Sequence, residues 1–550
     1  MEKLTEKGTS DDLADNEDAP DINFRKSATA DKYRLFASMS FMILVIIIGV
    51  PMWWKTTEVY RVNLPSADIM SLSDEPIEIT TKIAIFTFEK ERGELLVKEL
   101  SEAYTDNGLW YPQFVQIAPF EKAVNSKTPA NIETQLLKQE QIRAGDFIFI
   151  EWPKLEEEVL MTSERSALMR NDTSSSRIKN VLNQLILQTH RIQQIVFENY
   201  RRAVKTEAPQ PEYDVVVSIL NPRPDIMNAK WNVRMAVETY IAPFLKEVSQ
   251  ISNYTLTTQW KYQLPFEADL KQVRDSTKLG RHYALGESDL PHIITSIEKN
   301  LGVGITAKPA INLVVYITPC DIAPVHIYNR QNKQATRHNV DSFISPKWGG
   351  IIISNPPTEA CLSYNNAQEP VEFYVNTNDV MQIMLYQLQK LLDINIEFNM
   401  EGVKTVALEQ ITPRRWEYEA YIRRSAVMHI TTASNTLQSL IKLLDNISYI
   451  VINDDVGESI NDAYNKLLLA KQALAEGHLL TASDYARSAF IASEHAFFDA
   501  SLLAQLYFPD EQKYAIYIPL FLPIMVPVIT SFTMIRKLLM KLRNSKENTT

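Results

Sequence analysis

In this chain of 550 residues, the pair whose types and spacing come nearest to chemistry is Cys320 with His326. A cysteine just after the apolar, β-branched run Leu313 to Ile317, with a histidine close behind, is the outline of a thiol nucleophile and its base. Only the thiolate attacks, and lowering a thiol pKa takes a cation or a helix N-terminus nearby. Cys320 is flanked by Pro319 and Asp321 and has neither in its local sequence, so the residues argue against that chemistry. The other cysteine is Cys361. In an oxidising compartment the two can close a disulfide; the alternative is a pair of unconnected buried thiols. Two cysteines also exclude a disulfide-rich scaffold, a zinc ribbon and a Cys-x-x-Cys redox pair.

The remaining candidates are modification and packing sites. Asn171-Asp-Thr173, Asn253-Tyr-Thr255 and Asn446-Ile-Ser448 are acceptor triplets for N-glycosylation, as is Asn548-Thr-Thr550 at the far end. Pro519, Pro523 and Pro527 recur every four residues, which sets them along one helix face. The eight histidines stand singly with no His-x-x-x-His pair, so no metal site is expected. Gly302-Val-Gly304 lacks the third glycine of a dinucleotide loop, and Gly-x-Ser-x-Gly is absent, so no cofactor is expected either. With 67 acidic against 56 basic side chains and no long basic block, the chain does not suit nucleic acid.

Two apolar runs would hold these residues in place. Leu35 to Trp54 and Tyr514 to Ile535 carry no charge, and each is about 20 residues or more, enough to cross a bilayer core as a helix. Aromatics stand near their ends: Tyr33, Trp53 and Trp54 on the first, Tyr514 and Tyr517 on the second. The first run begins late for a cleavable signal peptide and is followed by Trp-Trp-Lys instead of small residues, so a retained helix is expected. Arg25, Lys26, Lys32 and Arg34 flank the first run on its outer side, and Arg536, Lys537, Lys541, Arg543 and Lys546 follow the second. The inner flanks hold only Lys55, Arg61 and Lys513. By the positive-inside rule both termini are then cytosolic and everything between the runs lies across the membrane. The expected organisation is an acidic, disordered cytosolic tail at 1–34, a transmembrane helix at 35–54, an α/β domain at 55–412, a helical region at 413–513, a second transmembrane helix at 514–535 and a basic cytosolic tail at 536–550.

Between the runs, short β-branched stretches alternate with helical periods. Ile83 to Phe88, Phe147 to Ile150, Val215 to Ile219, Leu313 to Ile317 and Ile351 to Ile353 read as strands buried on both faces. Apolar stripes at steps of three and four mark helices from Ile178 to Val196 and from Val233 to Ile251, the latter interrupted by Pro243. This alternation predicts an α/β or α+β domain with a partly parallel sheet. After Pro413 only helical periods remain: one through Val427 and Leu444, one ending at Gly477, and one started by an N-cap at Thr481 with an alanine stripe from Ala482 to Ala500.

Directly after the first run stands Val50-Pro-Met-Trp-Trp-Lys-Thr-Thr-Glu-Val-Tyr-Arg61. This segment, Asp214-Val-Val-Val-Ser-Ile-Leu-Asn221, Pro346-Lys-Trp-Gly-Gly-Ile351 and Tyr517-Ile-Pro-Leu-Phe-Leu-Pro523 together resemble the phosphatidylinositol-glycan class S subunits of the glycosylphosphatidylinositol (GPI) transamidase. The resemblance runs from the first span to the last. It implies a place in an endoplasmic-reticulum membrane complex that removes a C-terminal signal from precursor proteins and joins the new carboxyl end to a GPI lipid. In that family the thiol nucleophile belongs to a separate caspase-like subunit. The resemblance therefore implies a non-catalytic subunit, with the other transamidase subunits as partners and membrane lipid, GPI included, within reach. Two other readings stay open on the residues: a membrane-tethered lumenal binding or adhesion protein, and a stand-alone cysteine hydrolase that would depend on Cys320.

Overall fold

The computed structural model describes residues 28–547 apart from 106–107, 119–127, 141, 199–207, 266, 276–279, 302–307, 330–339, 368–369, 395–397, 408–410, 448–449 and 503–510. The acidic tail up to residue 27 and the Asn548 triplet lie outside the described residues. The chain divides into a large central unit, Val62–Ser448 with Ile452–Asp499, and a second unit built from the two ends together with the short stretch 449–451.

The two largest sheets of the central unit, among the described residues, are mixed. In the first the strand order is Val403–Thr405, Val159–Met161, Ser166–Met169, Phe147–Glu151, Ile79–Phe86, Trp110–Ile117. All neighbours run parallel except Val159–Met161 against Ser166–Met169. In the second the order is Val340–Ser345, Gly349–Ser354, Ala310–Ile317, Glu212–Asn221, Asn253–Tyr262, parallel but for the hairpin at 340–354. The runs expected to be buried on both faces are the inner strands. Every residue of Phe147–Glu151 and Gly349–Ser354 is buried, whereas the edge strand Asn253–Tyr262 keeps several residues in solvent. Each fully buried Ile or Val contributes roughly 1.5–3 kcal/mol, so these short inner strands are the densest source of stability.

Helices cover the sheets. Pro243 stands inside Val233–Val248, as the apolar period required. The stripe from Ile178 to Val196 is not one helix. Ser175–Val181 widens into a π-turn at Leu182–Ile186, Gln188 takes a left-handed backbone (φ 49°), and a new helix starts at Thr189. The break follows from tertiary demand: the Gln188 side chain is buried and accepts a hydrogen bond from the buried Arg424. The C-terminal part consists of Arg415–Asn446, Asp454–Ala475 and Leu479–Phe497. Thr481 is not the N-cap of the last of these, because the turn before it is too short. Gly477 (φ 77°) donates to Leu474 and His478 to Ala473, a Schellman closure that lets the next helix begin at Leu479.

In the terminal unit, Ala28–Leu44, a π-turn at Val45–Gly49 and Val50–Thr57 form one continuous rod. Pro51 has no N–H to give the preceding turn, and the wider loop closes instead through Val50 N–H to Val45 O. Within this rod Phe36–Lys55 is long and apolar enough to cross a membrane, with mean hydropathy 2.2 and no buried residue. The other end is a helix of 37 residues, Glu511–Glu547, with Pro519, Pro523 and Pro527 inside it. The two helices lie against each other, Trp53 meeting Phe521 edge to face at 5.4 Å.

Candidate functional site

Parallel α/β sheets offer a ligand crevice beyond the carboxyl ends of their strands, where the strand order reverses. In the first sheet that point lies between Ile79–Phe86 and Phe147–Glu151. It is filled. Glu151 is buried, accepts the Phe88 N–H at 2.8 Å and pairs with Arg92 from the helix Lys90–Ala103. Arg92 also donates to the carbonyls of Thr173 and Arg170 at 3.2 and 3.4 Å.

In the second sheet the same point lies between Glu212–Asn221 and Ala310–Ile317. Here Arg223 pairs with Asp225 at 2.7 Å and with Asp321 at 3.3 Å. Beside it the sulfurs of Cys320 and Cys361 are bonded, 2.09 Å apart. A small sheet, Lys271–Asp275, Gly280–Gly286 and Val325–Tyr328, is fastened to this edge. Asn355 at the end of the strand Gly349–Ser354 both accepts from Val325 N–H and donates to its carbonyl, at 2.9 and 2.8 Å. His326 Nδ1 meets Asp341 at 2.7 Å, His282 Nε2 meets the Tyr328 hydroxyl at 2.6 Å, and the two imidazoles lie 5.7 Å apart. All of His282, His326 and Asp341 are buried. A buried Asp–His pair is the orienting half of a nucleophilic triad, but among the described residues no Ser, Thr or Cys is hydrogen-bonded to His326, and Cys320 holds no free thiol. The pair fastens one sheet to another.

The segment Pro346-Lys-Trp-Gly-Gly-Ile351 is part of this construction. The Trp348 carbonyl accepts from Asn312 N–H at 3.0 Å, and a Cβ on Gly349 would stand 1.9 Å from the Asn312 carbonyl oxygen. A Cβ on Gly350 would meet the Gln387 side chain at 2.3 Å. Both glycines are there for close packing.

Sequence reasoning missed the charged inner face of the helix Arg415–Asn446. Glu417, Glu419, Arg423, Arg424 and His429 are all buried. Glu419 accepts from Arg165 at 2.6 Å and from Gly145 N–H at 3.0 Å, and burial holds its carboxyl above the usual range. Arg423 donates to the carbonyls of Ile186 and Gly145, both at 2.8 Å; burial lowers its pKa to about 10. Arg424 reaches Gln188 and Asp393, and His429 meets the Pro209 carbonyl at 2.8 Å, its pKa pulled by burial to about 4. One helix thereby ties together loops from both sheets. The signal was in the chain, Glu-x-Glu followed by Arg-Arg within an apolar period, but it reads equally as a solvated face.

The acceptor asparagines are scattered. Asn171 is exposed in a turn, Asn253 opens the exposed edge strand and Asn446 ends its helix in solvent. Thr173 is buried with its hydroxyl on the Glu158 carbonyl at 3.1 Å. Pro519, Pro523 and Pro527 are all exposed on their helix. The structure therefore brings Cys320 and Cys361 together and leaves the other sequence candidates apart.

The family model for phosphatidylinositol-glycan biosynthesis class S protein matches residues 40–542. The GPI-anchor transamidase component PIGS of Bos taurus is 29% identical over 544 residues, which cover 90% of this chain and 93% of that protein. The GPI transamidase component PIG-S homolog of Schizosaccharomyces pombe is 24% identical over 94% of this chain and 87% of its own length. The GPI transamidase component GPI17 of Saccharomyces cerevisiae is 22% identical over 94% of each. With a match that runs from the first apolar helix into the last helix, the chain belongs to the phosphatidylinositol-glycan biosynthesis class S family.

Proposed function

We propose that this chain is a non-catalytic subunit of a GPI transamidase complex of the endoplasmic-reticulum membrane. The observation that carries it is the alignment of mammalian and yeast relatives named as GPI transamidase components over 90% or more of the chain. In this reading catalysis rests on another, caspase-like chain, and further membrane subunits complete the assembly. Both terminal helices span the membrane, at 35–54 and 514–535, with the tails 1–34 and 536–550 cytosolic. The α/β domain 55–412 and the helical region 413–513 then lie in the lumen, close to precursor protein and GPI lipid.

The ion pairs, disulfide and small sheet that occupy the carboxyl edges of both sheets, among the described residues, support a scaffold role, since they stand where a substrate would sit in an α/β enzyme. Asn171, Asn253 and Asn446 are the glycan acceptors, and Cys320 and Cys361 are a structural pair. Purification in mild detergent tests the reading. Recovery in a stable hetero-oligomer with transamidase activity is expected; a monodisperse single chain would refute it.

A further inference from the structure

We infer that the face of the helix Glu511–Glu547 bearing Pro519, Pro523 and Pro527 docks a transmembrane helix of another protein, one that presents hydrogen-bond-donating side chains. The inference rests on the reading of this helix as a membrane span. Each proline lacks an N–H, so the carbonyls of Ala515, Pro519 and Pro523 lose the donor that helical geometry would supply. Spacing by four places them in one row.

Among the described residues, the chain's own first helix does not cover that row. Partly shielded positions recur along the first helix at Ser38, Met42, Val45 and Gly49, and along the last at Tyr517, Phe521, Val528 and Ser531. These form the seam between the two helices, with Trp53 on Phe521. At about 100° per residue, Pro519 and Pro523 fall on the side turned away from Tyr517 and Phe521, and Pro527 at its flank. Ile516 and Val526 beside the row are 68% and 50% exposed. Nor, among the described residues, do the helix's own hydroxyls serve these carbonyls: Thr530 and Ser531 both donate to the Pro527 carbonyl, at 2.9 and 2.7 Å.

What covers the row must therefore bring donors into hydrocarbon. Acyl chains have none, and lipid headgroups lie at the membrane surface. Another protein helix carrying Ser, Thr, Asn or Gln supplies them at the required depth, continuing the helix pair into a three-helix contact.

The test uses the full chain in cells that make the whole complex. A photo-reactive residue at Ile516 or Val526, with the prolines kept, is expected to give an adduct with a different membrane protein. Replacing all three prolines by Leu is expected to lower co-purification of that protein by about tenfold or more, the loss of a single strong contact. Membrane insertion should be unchanged. Adducts with lipid alone or with a second copy of this chain, or parental co-purification of the triple variant, would overturn the docking face. Labelling of a cysteine at position 523 by a water-soluble maleimide in sealed microsomes would instead refute the membrane reading beneath it.

Discussion

The two largest sheets of the central unit face the same problem at their carboxyl edges and solve it by different means. The first fills its crevice with charge, Arg92 against the buried Glu151. The second closes its edge with a covalent bond, Cys320 to Cys361, and with a small sheet clamped by Asn355 and by His326 on Asp341. Charge suits the first because the helix Lys90–Ala103 starts at that edge and brings Arg92 with it. The second sheet carries long excursions there, and segments without a core of their own need fastening. Where an α/β enzyme keeps its pocket, each sheet of this protein holds structure.

The sharpest way to break the comparison is at one glycine beside each closure, Gly349 in the second sheet and Gly93 in the helix that brings Arg92 to the first. Gly349→Ala drives a Cβ into the Asn312 backbone at 1.9 Å, where only loss of strand pairing gives relief, and is expected to cost about 4 kcal/mol or more. In Gly93→Ala the Cβ meets the Gln116 amide and the buried Thr87 hydroxyl at 2.5 and 2.6 Å, so side chains and not strand backbone must give way. The gain in helix propensity offsets part of that overpacking, leaving a loss of about 1–3 kcal/mol. Urea unfolding of the detergent-purified chain measures both, and equal losses would erase the distinction.

Removing each closure comes next. Arg92→Met strands Glu151 without its partner and should destabilise by about 3–5 kcal/mol, read in the same unfolding experiment. Cys320→Ala opens a loop with a sequence separation of 41 and should cost about 2–4 kcal/mol. Transamidation per assembled complex should remain at the parental level. Lost turnover in a normally assembled complex would give the thiol a chemical role after all.

A pH series sharpens the part played by the helix that joins the sheets. His429 is held neutral with a pKa of about 4, below its unfolded value near 6.5, so its contribution is intact above that value and is lost as pH falls toward 4. Glu417 and Glu419, raised by burial, act in the opposite sense, gaining on acidification. His429→Gln isolates the histidine: between pH 7 and 5 the parent should lose about 2 kcal/mol relative to the variant. Parallel pH curves would show that burial does not hold this imidazole neutral.

The smallest effect concerns the surface. Changing Asn171, Asn253 or Asn446 to Gln should shift gel mobility at one site or more, as endoglycosidase does, with stability changed by no more than about 0.5 kcal/mol. Asn548 should carry no glycan; a glycan there would invert the topology.

The sequence by itself determined whatever depends on local period and composition. The five β-branched runs are strands because continuous apolar stretches of that length can be satisfied only inside a covered sheet. The first apolar helix and the three C-terminal helices follow from their apolar periods in the same way. Tertiary structure decided what depends on partners distant in the chain. Val403–Thr405 joins a sheet whose other strands end at Met169, because strand pairing is set by edges that no local window contains. The stripe from Ile178 to Val196 breaks at Gln188 because Arg424, far along the chain, takes its amide. Arg423 and Glu419 are inside because carbonyls and side chains from other elements compensate their desolvation, and a charge in a sequence does not reveal whether such partners will be there.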